Sequence, residues 1–533
     1  MSLISLSHSR PPQFMQSNIL THLVTTLSRI IVSDAYFFLP PTAVLLAFLT
    51  TVQMVHIRRN TVILCLLTAA LAACASYEPQ PLPPQATAAG FESRSLAAPG
   101  LKDYVAAHRP RTLPTGPSRT WDFDMLTLAA LYFHPDLDVA RAQQDAAEAG
   151  VLTARQWPNP SLNFTPAYNA DAVAGMSPWI LGWVLNFPIE TAGRRGYRET
   201  QAVYQRDAAR FHLAEVAWQV RSRVRSRMLD YDAALREKAI LKQTLDLREY
   251  LLDALQRRLA VGEAALPEVE AAQTALADAR LQLRQARGRA ATARVALAAA
   301  VGIPVSALDA VNFSFDTLNR PPGAAQIPAQ AVRRAALANR ADLLAALARY
   351  AASQSALQLE VARQYPDLQI GPGYQWDQGA NKWSLGIGLT LPLFNQNQGQ
   401  IAQAKARREV AAAQFTALQA KVIGQIEHAL ADYRAALAAL DAAQTLTSAQ
   451  QSHTRSVQRQ FRAGYTDRVV LEAARLQTLT SENSRLAAAI QAQRALGALE
   501  DAVERPLDGA VEVSDVTLPA PGRDAPANQG LQP

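Results

Sequence analysis

Two stretches of this chain repeat one another about 200 residues apart. Pro160-Ser-Leu-Asn-Phe164 is answered by Pro366-Asp-Leu-Gln-Ile370 at an offset of 206. Leu185-Asn-Phe-Pro188 is answered by Leu391-Pro392 at 204, and Arg258-Leu-Ala-Val-Gly262 by Gln460-Phe-Arg-Ala-Gly464 at 202. So small a drift means two tandem copies of one structural unit, residues 121–320 and 321–507. Each copy reads as a helix, a pair of short alternating strands, a very long helix, a Gly turn and a return helix. A repeat over most of 533 residues argues for one duplicated body rather than several domains.

The strand segments carry period-two patterning. Trp179, Leu181, Trp183, Leu185, Phe187 and Ile189 alternate with other residues, and Trp383, Leu385, Ile387, Leu389, Leu391 and Leu393 do the same. Their partners are Leu162–Tyr168 and Leu368–Trp376, interleaved with Asn163, Thr165, Gln369, Gly371 and Gly373. An apolar face with aromatic ends and a small or polar opposite face fits a transmembrane barrel strand. Lipid would then meet Trp179, Leu181, Trp183, Leu385, Ile387 and Leu389. Four strands cannot close a barrel, and an open edge in lipid strands backbone groups at several kcal/mol each. The chain must therefore share a barrel with other copies. Two copies give eight strands, which side chains fill; three give twelve, enough for a lumen.

The helices are far longer than those of ordinary globular proteins. No proline interrupts about Tyr197–Ala260 or about Ile401–Ala463, each on the order of 95 Å at 1.5 Å per residue. Heptad-spaced residues mark them: Tyr204, Phe211 and Trp218; Leu245, Leu252 and Leu259; Phe415 and Val422. Shorter helices, about Met125–Arg155 with Pro267–Val301 and about Pro328–Gln364 with Thr466–Val503, are expected to stack end to end beside them. The fold class is mostly α with membrane β: four transmembrane strands in a shared barrel, continued by a long coiled-coil helical barrel.

Arg58-Arg59, an apolar run from Thr61 to Ala70, and Leu71-Ala72-Ala73-Cys74 form a signal peptide over 54–73 with a cleavage site before Cys74. The end of that segment resembles the bacterial lipobox, which makes Cys74 the lipidated N-terminus. Cys65 leaves with the signal, so the mature chain forms no disulfide. By analogy with bacterial lipoproteins, Ala75 rather than Asp permits outer-membrane sorting. Met54 suits a start codon, and residues 1–53 read as an over-extended N-terminus. Residues 74–120 read as an extended, Pro-rich, lipid-anchored tether, and 508–533 as a disordered tail. The formal charge of +7 is spread too evenly to suggest nucleic acid.

From Trp121 to Leu507 the chain resembles the TolC-like outer-membrane efflux factors. Trp157-Pro-Asn-Pro-Ser161, Leu391-Pro-Leu-Phe-Asn-Gln-Asn-Gln-Gly399 and the turns at Gly262 and Gly464 carry the resemblance. It implies a homotrimer, a twelve-stranded barrel, a helical tunnel, and docking of the tunnel's periplasmic tip on an adaptor bound to an inner-membrane pump. Ile189-Glu-Thr-Ala-Gly-Arg-Arg-Gly196 is similar to the signature of the heavy-metal (CzcC-like) branch, with Ala192 and Arg194 as departures. Divalent cations are then the implied cargo, with organic compounds or secreted polypeptide as the alternative.

No catalytic constellation occurs in the sequence, and the histidines are too scattered for shared ligation; the expectation is no enzyme, no cofactor and no resident metal. Gly262 and Gly464 suit the left-handed turn that ends a helix, and Pro267 and Asp467 a helix start. The resemblance places Glu268 and Glu472 near the tunnel constriction as gate candidates. With them go Gly262, Pro267, Arg462, Gly464, Asp467 and Arg468 as tip or adaptor-contact candidates. A lipid-anchored periplasmic scaffold without a pore is the rival of a different class, and the strand alternation speaks against it.

Overall fold

The computed structural model describes residues 77–108, 120–309, 311–319 and 321–507. The extension 1–53, the signal segment, Cys74 and the tail 508–533 lie outside the described residues. The chain divides after Pro83 into a leading unit and a body that starts at Pro84. In the leading unit, residues 77–83 are exposed and without regular structure.

The body opens with α1 (Pro84–Glu92) and α2 (Pro99–His108). This corrects the expectation of an extended tether: Leu96, Leu101, Tyr104 and Val105 are buried and join the core. Proline tolerated at a helix start explains why the Pro-rich composition misled, since Pro84 and Pro99 each open a helix. The first copy then runs β1 (Thr120–Trp121), α3 (Phe123–Phe133), α4 (Pro135–Arg155), β2 (Ser161–Tyr168), β3 (Trp179–Ile189), α5 (Arg194–Ala260) and α6 (Leu266–Val301). After β4 (Asn312–Phe313), near the end of the first copy, the second follows with α7 (Ala329–Asn339), α8 (Ala341–Ala362), β5 (Leu368–Asp377), β6 (Ala380–Leu389), α9 (Gln398–Arg462) and α10 (Arg468–Val503).

The long helices α5 and α9 have 67 and 65 residues, each about 100 Å. Each expected single helix ahead of the strands is broken in two. Pro135 removes an amide and crowds the preceding turn, so α3 stops at Phe133. In the second copy, Arg340 breaks the run between α7 and α8. The heptad residues are mostly half-buried; only Trp218 and Val422 are buried. Among the described residues no helix is long and apolar enough to cross a membrane.

Two hydrophobic cores form at mid-length of the long helices, one per copy. The first joins α2, α3 and the end of α6 to α5 through Leu126, Leu131, Val220, Val224, Met228 and Leu297. The second joins α7 and the end of α10 to α9 through Ala336, Val422, Ile426, Tyr433 and Leu499. Each fully buried Leu or Val contributes about 1.5–3 kcal/mol, so the cores fix the waist while the helix ends rely on small clusters such as Val457 with Leu471 and Ala474.

β2, β3, β5 and β6 form one antiparallel sheet in that order, the two copies meeting at β3–β5. The fourth strand was expected over Trp383–Leu393 and occupies Ala380–Leu389 instead. A two-residue turn, Gln378-Gly379, sets its register: both residues have positive φ, as a type I′ hairpin requires. Leu368, the first residue of β5, pairs with Leu389, so β5 offers nothing beyond that point.

Candidate functional site

The sheet has two unlike faces. Phe164, Trp183, Tyr374 and Trp383 lie in register across all four strands, with ring centroids 5.1, 5.8 and 4.9 Å apart. Trp179, Leu181, Leu385, Ile387 and Leu389 share that face. Trp383 is 81% exposed and Ile387 70%. So large an apolar surface on a folded sheet marks contact with something apolar. The opposite face holds Asn163, Thr165, Gly182, Gln369, Gly371, Gly373, Gly386 and Gly388. Two of those glycines are closely approached by side chains of the neighbouring strands: a Cβ on Gly371 would sit 2.6 Å from Asn186 Oδ1, and one on Gly373 2.6 Å from Ser384 Oγ, so either side chain would have to turn aside. β2 and β6 are the outer strands of the four.

Below the sheet, the Glu-Thr-Ala-Gly-Arg-Arg segment laces strands to helices. Arg194 donates to Asp367 Oδ2 at 2.6 Å and to the carbonyls of Ala362, Arg363 and Tyr365, which end α8. Arg198 grips Glu190 and donates to the carbonyls of Ala154 and Gln156, which end α4. Arg195 stacks on Trp157, 3.9 Å from its ring centroid. Cations at helix C-termini satisfy the unpaired carbonyls and the dipole together. Arg194 and Arg198 are thus helix-end clamps.

The two helix turns are copies of one another. Gly262 and Gly464 both have φ of +77°. Gly262 N–H donates to Leu259 O and Glu263 N–H to Arg258 O; Gly464 N–H donates to Phe461 O and Tyr465 N–H to Gln460 O. This is the αL-capped ending of a helix. Pro267 sits in the first turn of α6, and Glu268 Oε2 accepts from Ala265 N–H at 3.4 Å. Asp467 caps α10, accepting from Val470 N–H at 2.9 Å, and receives Arg258 Nη2 of the other copy at 2.8 Å. The Arg258 guanidinium, followed by the Val470 amide, holds the Asp467 carboxyl below its ordinary value.

The two gate candidates differ sharply. Glu268 is exposed. Glu472 is only 2% exposed, and both its oxygens are taken by Arg475 at 3.1 Å, with Arg468 at 3.4 Å. Arg468 in turn lies over the Tyr250 ring at 4.4 Å. Arg462 is exposed at the end of α9. Sequence reasoning missed the apolar residues at the turns, Val261, Leu266 and Tyr465, which are 70%, 56% and 86% exposed.

At the waist, the short helices stack end to end as expected. Arg340 donates to the carbonyls of Asp501 and Ala502 at the end of α10, while Glu504 accepts from Ala341 N–H at 2.7 Å at the start of α8. Each helix end is capped by a side chain from the other. The first copy seals the same joint differently: Arg94 donates to Phe133 O and Gly302 O at 2.7 and 2.8 Å. Gly302 is irreplaceable there, because a Cβ would meet His134 Cα and Phe133 O at 3.0 Å. Burial pushes the Glu504 carboxyl up to about 7. Next to it, Arg221 and Arg225 close on the fully buried Glu500 at 3.3 and 3.4 Å. Among the described residues no group of His, Cys, Asp or Glu is placed to hold a metal ion.

A duplicated pair of long helices under an amphipathic four-stranded sheet defines the class. Residues 128–303 and 332–503, one stretch per copy, match the outer membrane efflux protein family, and the chain belongs to that family. It is a family of transport proteins, and the chain is not an enzyme. Over 284 residues the chain is 26% identical to the cobalt-zinc-cadmium resistance protein CzcC of Cupriavidus metallidurans, covering 53% of this chain and 65% of that protein. It thus spans slightly less than two thirds of that relative. Over 400 residues it is 27% identical to the pyoverdine export outer membrane protein OpmQ of Pseudomonas aeruginosa, covering 69% and 81%. The Campylobacter jejuni CmeC outer membrane channel shares the fold, with a TM-score of 0.60 at 15% identity over 83% of this chain and 96% of that one.

Proposed function

We propose that this chain is the passive outer-membrane exit channel of a tripartite efflux system. The observation that carries the reading is the sheet: four strands, one exposed apolar face, one small and polar face, and no closure within a single chain. Three copies would supply twelve strands, enough for a lumen, with the apolar face to lipid and the glycine-rich face to water. The long helices continue the conduit into the periplasm, lipidation at Cys74 anchors the chain, and the turns at Gly262 and Gly464 meet an adaptor that links it to an inner-membrane pump. Val261, Leu266 and Tyr465 offer that adaptor apolar contact, and Arg462 a charge. Opening requires the turns to separate, which breaks the Arg258–Asp467 contact between the two copies.

For cargo we infer divalent cations, on the similarity to CzcC and the Ile189–Gly196 segment. The longer similarity to OpmQ favours an organic cargo as the second reading. The paired, buried Glu472 also removes one of the two carboxylates that a cation-attracting tip would use. Growth of a deletion strain across graded zinc, cobalt, cadmium, nickel and copper, beside dyes and antibiotics, decides between them. Sensitisation to cations alone supports the first reading. Sensitisation to organic compounds alone retains the channel and overturns the metal.

A further inference from the structure

Between the sheet and the waist, α5, α8 and α9 line a groove of about 520 Å³. The two copies meet in it, since α5 belongs to the first and α8 and α9 to the second. Its floor is made of small residues: Ala208, Ala352 and Ala404 are buried, and Ala356 is half-buried. Small side chains leave the space above them open.

The walls are polar, and the two ends of the groove differ. Glu360, Gln201 and Gln400 stand nearest the sheet, and Gln205 and Gln403 follow them. Arg349, His212 and Arg407 lie about two to three helical turns further from the sheet. The one carboxylate in the groove is already engaged, because Glu360 accepts from Asn397 Nδ2 at 2.9 Å and from Arg363. His212 Nδ1 lies 3.1 Å from Glu215 Oε2, one turn beyond the groove. Arg349 and Arg407 are exposed, and among the described residues neither has an ion-pair or hydrogen-bond partner. Arg206, the residue after Gln205, is by contrast held by Asp207 and Glu148. Two unneutralised guanidinium groups thus share one end of a cavity whose other end is lined by amides.

The groove opens on a defined side of the helix layer. Its α5 residues 201, 205, 208 and 212 form a stripe at heptad spacing. Continued, that stripe passes through Glu215, Gln219, Ser222 and Ser226, which line a second cavity further along. It avoids Val220, Val224 and Met228, the residues through which the first core holds α3 against α5. The groove therefore faces away from the accessory helices, which is the bore side in the channel proposed above.

We propose that this groove binds an organic polyanion on its way through the bore, with carboxylates at Arg349 and Arg407 and the polar body along the glutamines. A guanidinium fork matches a carboxylate in both charge and geometry. Glutamine amides donate and accept, so they suit hydroxyl and amide groups. The volume lies within the range of about 300–1,000 Å³ that small-molecule sites occupy. A bare divalent cation is repelled by the same pair of arginines, so a metal cargo would pass this stretch inside an anionic complex rather than as a free ion. The inference rests on the channel reading above, and it adds a site and the class of solute that the site takes.

Calorimetric titration of the purified full-length protein in detergent tests it, at low salt because exposed charges are otherwise screened. Citrate is the probe, and its trimethyl ester keeps the skeleton without the charge. The expected result is one citrate per chain, no binding of the ester, and affinity weakened about tenfold or more in Arg349→Gln with Arg407→Gln. Removing the same charge from exposed positions on α6, Arg284→Gln with Arg287→Gln, should leave the affinity unchanged. No binding by the parent, equal weakening in both double variants, or full affinity in the groove variant each overturns the site. Planar-bilayer recording keeps this apart from the channel reading: citrate should interrupt the current of the parent, and for shorter times in the groove variant. A channel that conducts and ignores citrate overturns the groove and leaves the channel standing. A folded oligomer that binds citrate through these arginines yet never conducts overturns the bore.

Discussion

Glu504 shows what a single buried carboxylate does to a helix joint. It sits in the left-handed region at φ of +50°, in the place that Gly302 fills in the first copy. Its pKa is raised to about 7, chiefly by burial, against an ordinary value of 4.5. A carboxyl raised in the folded state contributes most below its unfolded pKa, and that stability is lost as pH rises through the folded value. From about pH 4.5 to 7 the joint should therefore weaken. Glu504→Gln keeps an acceptor for Ala341 N–H but never ionises. Denaturant unfolding in detergent is expected to show the variant level with the parent near pH 4 and ahead of it by about 1–3 kcal/mol near pH 8; parallel pH profiles would contradict this. The turn glycines make a second residue-scale case. Gly464→Ala places a Cβ at φ of +77° and should cost about 1–2 kcal/mol, although open space surrounds the site. The same loss is expected at Gly262, and no loss at Gly150, a helical glycine with equal space.

At the scale of elements, the alternation along β3 and β6 was legible because period two needs only the identity of every second residue. Leu389 lies on the exposed apolar face and Gly388 on the other. If the first face meets lipid, Leu389→Arg should cost about 2–4 kcal/mol near the midplane and reduce outer-membrane assembly. Gly388→Arg should assemble more nearly like the parent; the atom nearest its Cβ is Gln369 Cβ, at 3.4 Å. Equal assembly by heat-modifiability on gels would mean that the face assignment is wrong. The strand's end was not legible. Trp383–Leu393 alternates throughout, yet pairing stops at Leu389 because β5 starts at Leu368, a fact about a neighbour rather than about the strand. The clamps made by Arg194 and Arg198 were hidden in the same way: their carbonyl partners lie 168 and 44 residues away, respectively. Glu472 was visible as an acid in the first turns of a helix, with Arg468 and Arg475 at ion-pair spacing on the same helix, but its 2% exposure is a property of packing.

At the scale of the whole molecule, duplication organises everything described. It gives two cores, two stacked joints, two copied turns and two hairpins in one register. The copies differ at the sheet, where β3 meets β5 while β2 and β6 are the outer strands of the four. The same logic joins the sheet to its function: a half-lined wall with one apolar and one polar face makes sense only when closed. Single-channel recording from the purified full-length protein in planar lipid bilayers tests that claim most directly. Discrete, ion-carrying steps at low protein concentration are the predicted result. Protein that inserts into the bilayer as a folded oligomer and carries no current above that of bare lipid would contradict the account.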